Sequence, residues 1–120
     1  MKHQKSNRKL NLSSKHRKAL LRNQAIHFIK FGILQTTTAR VKEVKRLVEK
    51  VVTIARIGKN FNTIRRVKQI LPYDSTILDK LFLEIAPWYV TRPGGYTRTF
   101  HMQTRISDTA RISRMVWVLD

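Results

Sequence analysis

The first 42 residues contain eleven Lys and Arg and not one Asp or Glu; the first carboxylate is Glu43. A stretch with one sign of charge resists collapse, because every approach of one part to another adds repulsion. Its opening string, MKHQKSNRKLNLSS, has only Leu10 and Leu12 as apolar side chains beyond the initial Met, with neither helical nor alternating period. We therefore expect residues 1–13 to be a basic extended arm without a core of its own, and residues 14–120 to form a single domain. The whole chain carries 25 Lys and Arg against 7 Asp and Glu, a net charge of +18. Solubility asks for about 2 to 8 in a domain this small, so a polyanionic partner is the physical reason for the remainder. Apolar residues at 42%, with five Phe, three Tyr and two Trp, are still enough for a modest core.

Most other functions lack their residues. With no Cys, a disulfide framework, a thiolate metal site and a Cys nucleophile are excluded. The longest apolar run, residues 115–119, falls far short of the ~20 residues that cross a bilayer. A basic, acid-poor start also suits a targeting peptide, but Leu10 and Leu12 make no apolar face. His3, His16, His27 and His101 show neither HExxH nor any pair three to five apart, so no metal is expected. The carboxylates are scattered, and Asp79 and Glu84, five apart, fall on different helix faces. No G-x-S-x-G elbow is present, and Gly94-Gly95 is not followed by the Lys-Ser/Thr of a phosphate loop. The expectation is a protein that is not an enzyme, with no cofactor, no membrane and no small-molecule substrate.

Apolar residues at three- and four-residue spacing predict helices over 15–31 and about 38–57. Ser13 or Ser14 would cap the first and Gly32 close it; Gly58 would stop the second. A short β-branched run at 33–36 predicts a brief strand between them. A third helix is expected over 60–69 and ends at Pro72; Asp74 or Ser75 would cap a fourth, with Pro87 as its end. Its buried face would hold Ile77, Leu78, Leu81, Phe82 and Ile85. Residues 96–106 then alternate, with Tyr96, Phe100, Met102 and Ile106 expected on the apolar face, and residues 112–119 predict a second strand of a hairpin. Phe28, Phe31, Phe82, Phe100 and Trp117 read as core, and one of Trp88, Tyr89 and Tyr96 as a base-stacking candidate. The fold class is α+β: two layers, helices packed on a small sheet, behind the arm.

Cations interleaved with small hydrogen-bonding residues supply the charge and the neutral donors that hold register on phosphate: Lys5-Ser6-Asn7-Arg8-Lys9, Arg22-Asn23-Gln24 and Thr97-Arg98-Thr99. Lys15 extends the first of these. On the second helix, Lys42, Lys45, Arg46, Lys50 and Arg56 suit a solvated face as well as a contact face. No helix-turn-helix, RNA-recognition signature or zinc finger is present, so the pattern favours a folded RNA read by shape. A charge-driven DNA-compacting protein is the rival reading, and an enzyme acting on RNA a remote third.

Two strings are more specific. Met1-Lys2-His3, Lys5, Arg8, Leu10-Asn11, His16-Arg17, Ala19 and Arg22-Asn23 resemble the opening of the bacterial large-subunit ribosomal protein number seventeen family. Arg92-Pro93-Gly94-Gly95-Tyr96-Thr97-Arg98 resembles its R-x-G-G-Y-T-R signature. The resemblance implies the order α-β-α(3)-β(2), binding to large-subunit ribosomal RNA near the polypeptide exit beside neighbouring large-subunit ribosomal proteins, and no catalysis. It implies a cytoplasmic location in the ribosome, with an organelle ribosome equally compatible. Carried over by position, the RNA-contacting candidates are Lys2, His3, Lys5, Arg8, Lys9, His16, Arg17, Arg22, Asn23, Arg92, Gly94, Gly95, Tyr96 and Arg98. Asn7 stands where the family commonly has Gly, Gln4 and Leu12 where a base is frequent, and Ser107 where Gly often precedes Asp108.

Overall fold

The computed structural model describes residues 8–72 and 75–119. Helix α1 spans Ser14–Phe31, strand β1 Ile33–Thr37, α2 Thr38–Ala55, α3 Phe61–Ile70 and α4 Ser75–Lys80. Strands β2, Thr97–His101, and β3, Ile112–Trp117, complete the order. The sheet runs β1-β3-β2 with both pairings antiparallel. The two-layer α+β class is what the sequence predicts.

Local chemistry sets most boundaries. Ser13 Oγ accepts from the His16 amide at 3.3 Å, capping α1. At the other end Gly32 takes φ +77, a left-handed turn that a β-branched residue would resist, and its amide donates to the Phe28 carbonyl at 2.7 Å. Asn60 and Thr63 close a reciprocal capping box on α3. Asp74, the alternative cap for α4, lies outside the described residues.

Helix α2 is the hub. Its stripe of Val41, Val44, Val48, Val51, Val52, Ile54 and Ala55 is buried against α1, α3 and all three strands. Full burial of such a side chain contributes about 1.5–3 kcal/mol. Ile77, Leu78, Leu81, Phe82 and Ile85 are all buried, as the α4 pattern predicts.

The structure corrects five expectations. Pro87 does not end the fourth helix: after α4 the winding widens to a π-helical turn over Leu81–Ile85, then tightens to a 3-10 turn over Ala86–Tyr89. That change of register puts Pro87 in the first turn of a new segment, where a missing N–H costs nothing. The first hairpin strand stops at His101, and Met102 and Ile106 are exposed in the loop to β3; β3 in turn ends at Trp117 rather than at residue 119. Phe100 is 47% exposed, because the face of β2 turned to the helices carries Thr97 and Thr99 instead. Phe31 is 60% exposed, because at the last turn of α1 its ring lies against that of His27, centroids 4.7 Å apart, rather than in the core. Phe28 and Trp117 do belong to the core side, with ring centroids 4.5 Å apart.

Candidate nucleic-acid interface

The candidate residues gather at the two ends of α2. Near its start, residues 8–13 do not run free as an arm. Leu10 and Asn11 take φ 55 and 54, and the Leu12 amide bonds back to the Lys9 carbonyl at 3.1 Å, making a tight turn. Asn accepts this conformation readily; Leu does so at a cost of about 1 kcal/mol or more, so something must hold it. Glu43 does. Its side chain is only 5% exposed, and its Oε1 accepts from the Arg8 backbone amide at 3.3 Å and from the Arg8 guanidinium at 3.2 Å. Arg17 adds a bond from its guanidinium to the Leu12 carbonyl, 3.3 Å.

This tether opens a groove of about 380 Å³ between α1 and α2, lined by Arg8, Arg17, Lys18, Arg46 and Lys50 around Leu21 and Leu47. Glu43 is the single carboxylate in that lining, and it faces Arg8. A second basic groove, with Arg8, Lys42 and Arg111, adjoins Thr37 and Thr38. Lys15 and His16 are exposed on the first turn of α1, Arg22 is half-buried, and Asn23 is exposed. That first turn holds no acid. Cations there oppose the helix dipole, so this end of α1 is better suited to meeting an anion than to stabilising the helix.

At the far end of α2 sits the glycine loop. The Arg56 guanidinium donates to the Arg92 carbonyl, to the Val90 carbonyl at 3.3 Å and to the Tyr96 hydroxyl at 3.2 Å. Glu49 accepts from the Thr97 hydroxyl at 2.9 Å and its amide at 3.4 Å, fixing where β2 begins. Gly95 takes φ +64. Gly94 has no positive φ, and a Cβ added there would meet no heavy atom within 4 Å. The fold itself therefore does not require glycine at 94. Tyr96 is 1% exposed, its ring 5.0 Å from that of Tyr89, so it positions the loop from within. Of the three stacking candidates beside the loop, Trp88 is exposed, at 48%, while Tyr89 and Tyr96 are buried. Arg92 is half-buried, and Arg98 is exposed on the outer face of the sheet.

The structure thus unites Arg8 and Arg17 in one groove but leaves the arm cluster and the glycine loop apart. Glu43 and Arg56 mark the two clusters, about 20 Å from each other along the helix at 1.5 Å per residue. Lys2, His3 and Lys5 lie outside the described residues. Sequence reasoning missed Lys18 as a groove residue and Glu43, Glu49 and Arg56 as the tethers. The four-residue spacing of Arg46 and Lys50 was the available signal for the groove; nothing local marks a tether. At the hairpin end, the Asp108 carboxyl is held down to about 2, first by the hydrogen bond from Arg105 and then by that from the Ala110 amide.

Among the described residues, no three or more His, Asp or Glu side chains come together as metal ligands. Nor, among the described residues, is any helix long and apolar enough to cross a membrane. The fold and site define a cationic two-layer α+β domain whose carboxylates on α2 serve as internal tethers. A family model described as Ribosomal protein L17 matches residues 20–118, and the chain belongs to that family. It is accordingly a structural protein of the large ribosomal subunit, in a non-catalytic family that serves translation. The matched span includes the glycine-loop signature and begins within α1.

Proposed function

We propose that this chain binds and stabilises large-subunit ribosomal RNA near the polypeptide exit region, among neighbouring large-subunit proteins of the cytoplasmic ribosome, and performs no catalysis. The exit-region location rests on the family resemblance. The RNA contact rests on one observation above the others: the sole carboxylate of the α1–α2 groove is taken up by Arg8, leaving a lining dominated by cations. Arg8, Lys9, Lys15, His16, Arg17, Arg22 and Asn23 would meet phosphates at one end of α2, with Lys2, His3 and Lys5 extending the contact. Arg92, Gly94, Gly95 and Arg98 would meet them at the other, with Tyr96 holding the loop in shape. Guanidinium groups present paired donors to phosphate oxygens, and a side-chain-free Gly94 lets backbone amides come close.

The test is binding of the purified protein to large-subunit ribosomal RNA across a salt series. The affinity should fall by about 0.7–0.9 log units per log salt for each phosphate neutralised. Gly94→Ala should leave stability unchanged or raise it by about 0.4–1 kcal/mol, yet weaken RNA binding. A flat salt response, or equal affinity for duplex DNA, would refute the proposal.

A further inference from the structure

The side of the sheet turned away from the helices carries two rows fixed by the strand register. One is Ile33, Val116 and Arg98; the next is Gln35, Arg114 and Phe100. Phe100 is 47% exposed and Ile33 41%. Arg98 and Gln35 are exposed and Arg114 half-buried. Gln35 Oε1 accepts two bonds from the Arg114 guanidinium, at 2.9 and 3.2 Å, which fix that planar group toward β1, while Phe100 stands opposite Arg114 on the other neighbouring strand. No carboxylate stands in either row. Neighbouring strands lie about 4.8 Å apart and alternate residues about 6.8 Å, so the positions of both arginines adjoin that of Phe100, within the span of one nucleotide.

We propose that this face is a further RNA contact, in which an unpaired nucleobase stacks on Phe100 while Arg98 and Arg114 hold the adjoining phosphates. An exposed aromatic ring set among cations on a sheet is the combination that unpaired nucleotides are bound by: the ring takes the π-face of any base and the cations take the backbone. Charge complementarity selects the occupant. Two arginines without an acid favour a polyanion over a protein surface of mixed charge. The inference rests on the RNA-binding reading above, and it adds a contact that phosphate neutralisation alone does not need.

The experiment compares the full-length protein with Phe100→Ala, Phe100→Leu and Phe100→Trp for affinity to large-subunit ribosomal RNA over a salt series, with circular dichroism as the folding control. The Ala and Leu variants should bind roughly 5- to 150-fold more weakly, the range of a lost base stack, with the salt slope unchanged; Trp should keep affinity. Two results would overturn the inference. Phe100→Ala binds RNA as the parent does, and if it then enters subunits poorly the occupant is a protein; or Phe100→Leu keeps full affinity, making the contact simple packing. Failure of the parent protein to bind RNA would instead sink the broader reading.

Discussion

The two faces of the three-stranded sheet differ in a way that polarity alone does not forecast. The inner face buries Thr97 and Ser113 alongside Leu34 and Met115, while the outer face exposes Phe100 and Ile33 beside Arg98. The two buried polar residues are both provided for. Ser113 Oγ meets Thr38 Oγ1 at 2.8 Å and His101 Nδ1 at 3.4 Å, and Thr97 bonds to Glu49. A satisfied hydroxyl is cheap to bury, so small polar residues can line a core against bulky helices. The apolar residues left outside are then available to a partner.

The largest test of this contrast sets Met115→Ala against Phe100→Ala. Met115 is fully buried, so its truncation should cost about 2–5 kcal/mol in urea denaturation. Phe100→Ala should stay within about 0.5 kcal/mol, as exposed positions do. Equal losses would erase the distinction between the faces. Next in size, Glu49→Ala removes a charged acceptor from Thr97 and should destabilise by about 1.5–3 kcal/mol. Its near-UV spectrum should report disturbance around Tyr96, whereas an unchanged stability would show that β2 needs no tether.

Arg98→Ala on the outer face should leave stability within about 0.5 kcal/mol. It should also lower the salt slope of RNA binding by about 0.7–0.9. The smallest effect concerns the hairpin end joining the two strands. Asp108 is depressed below its ordinary value of 3.8 to about 2 by its bonds from Arg105 and Ala110. The ion pair's contribution is therefore complete above the unfolded value and is lost as pH falls through about 2. Amide shifts of residues 105–110 should move over that interval while those of Met115 stay put; coincident movement would mean global unfolding.

The helices were legible because their signal is local. The α2 stripe, the Ser13 cap, the Gly32 stop and the Asn60 boundary all follow from residues within a turn or two of one another. The glycine loop and the basic strings were legible as chemistry for the same reason. Phe100 was not, because in a five-residue strand one polar and one apolar set alternate equally well, and only the choice of neighbour decides which set faces inward. Pro87 misled because the π-helical turn that accommodates it depends on packing, not on the dipeptide.

Taken alone, the order of residues determined the charge imbalance, the helical stripes and the strings that resemble a ribosomal family. Each is a sum or a period along the chain, and neither needs a partner distant in sequence. The tertiary structure decided which acids would be consumed internally, with Glu43 reaching Arg8 across 35 positions and Glu49 reaching Thr97 across 48. It also decided which face of the sheet stays open. Those outcomes depend on which surfaces meet when the helices close over the strands, and burial then turns a carboxylate into a tether and leaves an aromatic ring outside.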